Sequence, residues 1–134
     1  MNEKLRQNKW KQVLPNEDSS VPSPRWGHAS LVIQKEFVIY GGYAGTYSQY
    51  IDTIYKNDVW TYDAEQKEWK EVKTWGKAPE NRSNCSMNYD EKNNRLVVFG
   101  GGGSNKRKFN SIYTLDWKTK EWREIVPKSI CLMI

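Results

Sequence analysis

The sequence predicts an all-β protein made of two copies of one four-stranded antiparallel sheet, and three observations carry that prediction. One phrase occurs twice: Glu68-Trp69-Lys70-Glu71-Val72 aligns with Glu121-Trp122-Arg123-Glu124-Ile125 at an offset of 53 residues. The apolar residues come in short runs separated by turn chemistry, and none shows the three-to-four spacing of a helix face. Finally, seven Trp, eight Tyr and three Phe stand among 134 residues, whereas Leu, Ile, Val and Phe together number only 26. That aliphatic stock alone would sit at the edge of the disordered class, and the large rings supply the missing buried area.

Taken in order, the elements of the first copy are four segments at 28–33, 37–40, 59–62 and 69–72. The second is a continuous run of branched and aromatic residues, Phe37-Val38-Ile39-Tyr40, closed by Gly41-Gly42. Such a run fits a strand covered on both faces. The glycines fit a chain that leaves the sheet with positive φ or passes close to a neighbouring backbone. Residues 63–67 and 116–120 read as turns in which an aspartate carboxylate satisfies nearby backbone N–H groups. In the second copy, Leu96-Val97-Val98-Phe99-Gly100-Gly101 repeats the diglycine run at an offset of 59, and Ser111-Ile112-Tyr113-Thr114-Leu115-Asp116 repeats Asp58-Val59-Trp60-Thr61-Tyr62-Asp63 at 53. One loop has shortened by the difference. A partial third copy, Lys9-Trp10-Lys11-Gln12-Val13, carries the closing tryptophan phrase alone.

These phrases resemble kelch repeats. The first copy keeps Pro24-Arg25-Trp26-Gly27-His28, Gly41-Gly42, Asn57-Asp58, Tyr62-Asp63 and Trp69; the second keeps Arg82, Gly100-Gly101, Asn110, Asp116 and Trp122 but has Asn84-Cys85 in place of Gly27-His28. The resemblance implies one β-propeller blade per repeat, hence a partial kelch-type propeller: an N-terminal segment 1–23 holding an orphan closing strand, blades at 24–78 and 79–125, and a tail at 126–134. Trp10, Trp69 and Trp122 are then expected to seal contacts between blades. Propellers close with about 4 to 8 blades, so two leave sheet faces open. The expectation is a piece of a longer propeller whose missing blades follow Ile134; self-association, closure with a partner, and a stable open pair are the other readings.

Composition narrows the function. No stretch approaches the roughly 20 apolar residues of a membrane helix. Residues 1–11 hold no apolar core of a secretory signal, and Cys85 and Cys131 suit a reducing compartment, so a cytoplasmic protein is expected. The net charge of +5 permits acidic partners, yet no nucleic-acid signature accompanies it. The last four residues, Cys131-Leu132-Met133-Ile134, have the shape of a prenylation box, which would make the chain a membrane-tethered adaptor.

Catalysis has little to work with. His28 is the single histidine and sits at a repeat position, as does its counterpart Cys85, so both read as core or framework side chains. No ligand set for a metal and no cofactor loop is present in the sequence, and no enzyme is expected; the alternative is a propeller that accompanies an enzyme. Binding fits better. The loop after the second strand of each blade and the connection between blades should share one face. That face would present Tyr43, Tyr47 and Tyr50 from the first loop, Lys106, Arg107 and Lys108 from the second, and Trp75, Lys77 and Arg82 from the connection. Aromatic and forked cationic side chains are the composition of interface hot spots. An acidic peptide or protein segment is the expected partner.

Overall fold

The computed structural model of the chain describes residues 9–45 and 54–128. Nine strands form two sheets. The first has the order β1-β2-β3-β4, with β1 Ala29–Ile33, β2 Glu36–Tyr43, β3 Tyr55–Asp63 and β4 Glu68–Glu71. The second has the order β5-β9-β8-β7-β6, with β5 Trp75–Gly76, β6 Ser86–Asp90, β7 Arg95–Phe99, β8 Ile112–Asp116 and β9 Glu121–Ile125. The fold is therefore all-β, with a blade for each repeat. The sequence reading missed β5, a two-residue piece that pairs parallel with β9 through Trp75↔Glu121 and Gly76↔Trp122. It is too short to leave an alternation pattern. It lies in the segment counted with the first repeat but adds a fifth strand to the second sheet.

Turn chemistry closes each hairpin as the composition suggests. Asp63 Oδ1 accepts hydrogen bonds from the backbone N–H groups of Glu65 and Gln66 at 2.8 and 2.9 Å, and Asp116 Oδ1 accepts those of Lys118 and Thr119 at 2.9 and 2.7 Å. Lys67 and Lys120 then end the two turns in the left-handed region, at φ 55 and 61.

The blades pack face to face. Registers Ala29↔Tyr40↔Val59 and Leu31↔Val38↔Thr61 put those side chains on one face of the first sheet. Met87↔Val98↔Tyr113 and Tyr89↔Leu96↔Leu115↔Trp122 line the apposed face of the second. Together they form the core, in which Val38, Tyr40, Leu96, Val98 and Leu115 are fully buried. Trp122 rests against Tyr40 with ring centroids 5.5 Å apart at 52°, an aromatic pair across the joint.

Backbone contacts stitch the same joint near its glycine end. Gly42 N–H donates to Arg82 O, Arg82 N–H to Lys56 O and Asn84 N–H to Gly27 O, at 2.9, 2.9 and 2.7 Å. A Cβ on Gly41, at φ 65, would stand 2.7 Å from Arg82 O, so a side chain there would push the blades apart. Within the second blade a Cβ on Gly101, the repeat counterpart of Gly42, would stand 2.7 Å from Ser83 O.

A charged clamp holds the first blade's entry. Arg25 donates to both oxygens of Asp58, at 2.5 and 3.0 Å, and to Gly41 O. The second blade keeps the arginine and loses the carboxylate. Arg82, fully buried, donates instead to Gly100 O, Glu80 O and Ser111 Oγ, with its guanidinium 4.1 Å from the Phe109 ring centroid.

The three repeat tryptophans meet different fates. Trp122 seals the joint. Trp69 is half-buried against Tyr62 and Phe37 of its own sheet, on the face that no second sheet covers. Trp10, expected to seal a contact, is fully exposed, and residues 9–13 form no strand. A lone edge phrase has no sheet to pair with, and one strand without a ladder cannot hold itself together. The segment that follows does dock: Asn16 N–H donates to Lys67 O, and Trp69 N–H to Ser19 Oγ. Trp75 N–H donates to Lys120 O in the second blade, which is the same contact one repeat later.

Two outcomes follow for stability. Trp122→Ala should cost about 3–5 kcal/mol, as expected for emptying a fully buried indole; Trp69→Ala, half exposed, should cost roughly half as much or less. Urea denaturation monitored by circular dichroism would read both, and equal losses would contradict the assignment of the covered and open faces. Burial raises the Asp58 carboxyl, but hydrogen bonds from Arg25 and Trp60 outweigh it and hold the group below its ordinary 3.8. A depressed carboxyl stabilises above its unfolded value and loses that contribution as pH falls through the folded one. Asp58→Asn should therefore cost about 3 kcal/mol near neutral pH. The gap to the native chain should close below pH 3.8 in melts run across the acid range.

Candidate functional site: a basic and aromatic cleft between the blades

The diglycine ends of the two blades open into a cleft of about 650 Å³. One wall is aromatic, lined by Trp26 and Tyr55, while Tyr43 packs against both rings outside the lining. Trp26 and Tyr43 exchange backbone hydrogen bonds at 3.1 and 2.8 Å, which sets their rings 4.9 Å apart, and Tyr55 meets Tyr43 edge-on at 5.3 Å. Trp26 keeps 46% of its surface exposed, and both it and Tyr55 face the cleft.

The other wall is the loop after β7. Gly102 and Ser83 bond reciprocally at 2.9 Å and form the floor with Asn84 and Gly101. The loop then turns through a 3-10 turn at Ser104–Lys106, with Asn105 and Lys106 at φ 56 and 60, and is closed by Gly103 N–H to Arg107 O and Arg107 N–H to Ser104 O. This short, internally bonded loop presents Lys106, Arg107 and Lys108 together. They are not equivalent. Arg107 is paired with the Glu80 carboxylate of the connection between the blades and lies 5.2 Å from the Phe109 centroid. Among the described residues, neither Lys106 nor Lys108 has a carboxylate within ion-pair distance.

The remaining sequence candidates fall elsewhere. Arg82 lies buried beneath the loop and contributes its field rather than a contact. Trp75 and Lys77 follow the outer edge of the second sheet: the Trp75 indole N–H donates to Thr119 O, and Lys77 pairs with Glu124. They do not line the cleft, because the connection turns along β9 before it reaches the diglycine end. Tyr47 and Tyr50 lie outside the described residues, as does Cys131.

Cys85 is half-buried at the joint, and burial pushes its thiol up although Arg82 opposes the shift. It stays a protonated thiol at neutral pH, the state least suited to nucleophilic attack. His28, its repeat counterpart, was expected as a core or framework side chain; it is exposed, which removes the core reading, because the first blade's corresponding face is not covered by a second sheet among the described residues. Tyr55 belongs to the loop expected on this face, whereas Trp26 was not foreseen as a lining residue. Its signal was masked, because Trp26 stands in the repeat phrase Pro24-Arg25-Trp26-Gly27-His28 and reads as framework there, although Ser83 holds the place in the second copy.

The chain matches the model of the KLHDC2/KLHL20/DRC7 Kelch-repeats domain over residues 3–130. It is 34% identical over 98 residues to the dynein regulatory complex subunit 7 of Chlamydomonas reinhardtii, covering 73% of this chain and 8% of that protein. It is 32% identical over 113 residues to the flagellar outer-arm dynein alpha chain of the same organism, 81% of this chain and 2% of that protein. To the Kelch domain-containing protein 2 of Rattus norvegicus it is 26% identical over 106 residues, 75% of this chain and 24% of that protein. The chain thus spans less than a quarter of the length of each of these relatives.

Proposed function

Since the chain belongs to the kelch-repeat family, whose domains generally mediate protein interactions, we propose that it is a non-catalytic interaction module that takes an acidic peptide or protein segment in the cleft between its blades. The observation that carries this reading is the pair of exposed lysines, Lys106 and Lys108, which have no carboxylate partner among the described residues and face the exposed Trp26 ring. Ammonium groups on a loop held by its own backbone bonds attract carboxylates without first breaking an internal ion pair. The aromatic wall adds rigid contact area at low entropic cost. The field of buried Arg82, which has no carboxylate partner among the described residues, adds to the positive potential.

In the same reading the two blades are part of a larger ring, and the protein works in the cytoplasm. The first blade's free face supports the ring. It exposes Val32 and Phe37 beside half-buried Trp69, a surface suited to another sheet.

The direct test is titration of a short glutamate-rich peptide, followed by Trp fluorescence, against its glutamine-substituted counterpart. Lys106→Glu with Lys108→Glu should weaken the acidic peptide at least about tenfold, or about 1.4 kcal/mol. Added salt should weaken it progressively. Equal binding of the glutamine peptide, or indifference to the two substitutions, would overturn the reading.

A further inference from the structure

The internal repeat makes each blade a template for the other, so the covered joint shows what the open faces are made to meet. On the first blade's open face, Val32, Phe37, Ile39, Trp60, Tyr62 and Trp69 occupy the repeat positions that Tyr89, Leu96, Val98, Tyr113, Leu115 and Trp122 hold in the joint. The chemistry is alike, and the coverage differs only away from the glycine end: Ile39 and Trp60 are buried like Val98 and Tyr113, whereas Phe37 is 36% exposed where Leu96 is 0%. By the same mapping, whatever covers the first blade should present a face like the one that meets the second: Ala29, Leu31 and Ile33 on the inner strand, Val38 and Tyr40 beside them, and Glu36 at the far end.

This chain carries one other candidate for that role, the open face of its own second blade, and there the match fails. Its row nearest the glycines stays apolar, through Phe99, Ile112 and Ile125. Along the inner strand, however, Ser86, Asn88 and Asp90 replace Ala29, Leu31 and Ile33, and Arg95 replaces Glu36. Arg95 and Asp90 are bound to each other at 2.9 Å. Docking that face on Val32 and Phe37 would bury an amide and an ion pair against apolar side chains, which costs several kcal/mol where no new partners are supplied. Charge points the same way. In the joint, burial lowers the Lys120 ammonium, and the foremost charge opposing that shift is Glu36 of the first blade. The counterpart of Lys120 on the open face is Lys67, at the same turn position and the same left-handed φ. A second copy would bring Arg95 to it.

We propose that the open face of the first blade is an interaction surface for a kelch-type blade with an aliphatic inner strand and a carboxylate facing Lys67, and that it rejects this chain's own second blade. The proposal deepens the larger-ring reading and is independent of the acidic-ligand reading of the cleft. It gives the chain a direction: one face takes a blade of defined chemistry, and the opposite face does not propagate the chain into a polymer of itself.

Light scattering on a sizing column tests this with the chain as its own probe. At roughly 50 μM, where an interface of about 1 μM Kd would be largely associated, the native chain should run as a monomer. Asn88→Leu/Asp90→Ile/Arg95→Glu gives the second blade the face that the first blade is proposed to accept, and this variant should form concentration-dependent oligomers. Adding Phe37→Lys should abolish them, and adding Lys67→Glu should weaken them at least about tenfold. Circular dichroism confirms that each variant is folded; if the triple variant is not, Asp90→Ile/Arg95→Glu serves in its place. Self-association of the native chain that Phe37→Lys abolishes would overturn the rejection while leaving the larger ring standing. A folded variant that stays monomeric would overturn both.

Discussion

The two sheets share one core because their backbones come close at the diglycine end while large rings fill the gap beyond it, and the rest of this structure depends on that arrangement. Gly41 lets the first blade's second strand pass Arg82 O at a distance that no side chain would permit, and Gly42 donates the hydrogen bond that fixes the approach. With the blades pinned there, Tyr40 and Trp122 meet across the remaining gap. The cleft is a consequence of the same geometry. Backbones that converge at the diglycines and then diverge into loops leave a recess between them, and the loops set its chemistry.

Repetition with small departures explains where framework ends and function begins. Arg25 and Arg82 hold the same place, but Asp58 answers the first and Ser111 the second. A buried guanidinium without a carboxylate survives because three oxygens and the Phe109 face take over part of the solvation it has lost. Its positive field then persists beneath Lys106 and Lys108. The departures on the sheet faces work similarly. On the inner strand of the second blade Ser86, Asn88 and Asp90 stand where the first blade has Ala29, Leu31 and Ile33 in the joint.

Much of the fold was legible because its signals are local. The apolar runs gave strands near their true bounds, Asp63 and Asp116 marked their turns, and the 53- and 59-residue offsets paired the blades. Two features escaped for physical reasons. β5 is made by a neighbouring strand rather than by its own two residues, and Trp10 carries the phrase of a strand without the sheet that would order it. The candidate site was half legible. Lys106 and Lys108 could be read from a charged loop, but Trp75, Lys77 and Arg107 carry equally suggestive side chains and are occupied elsewhere, with Thr119, Glu124 and Glu80.

The sequence by itself determined the strands, their turns, the repeat and the family resemblance, since each rests on residue spacing and on backbone preferences that act within a few positions. Tertiary structure alone decided which tryptophan is buried, which cations are free and which sheet face is open. Those properties belong to pairs of groups brought together across the fold: Arg107 with Glu80 is 27 positions apart, and Tyr40 meets Trp122 from the opposite blade. A residue's type shows what it can bond to, and only its neighbours in space show whether that capacity is already used.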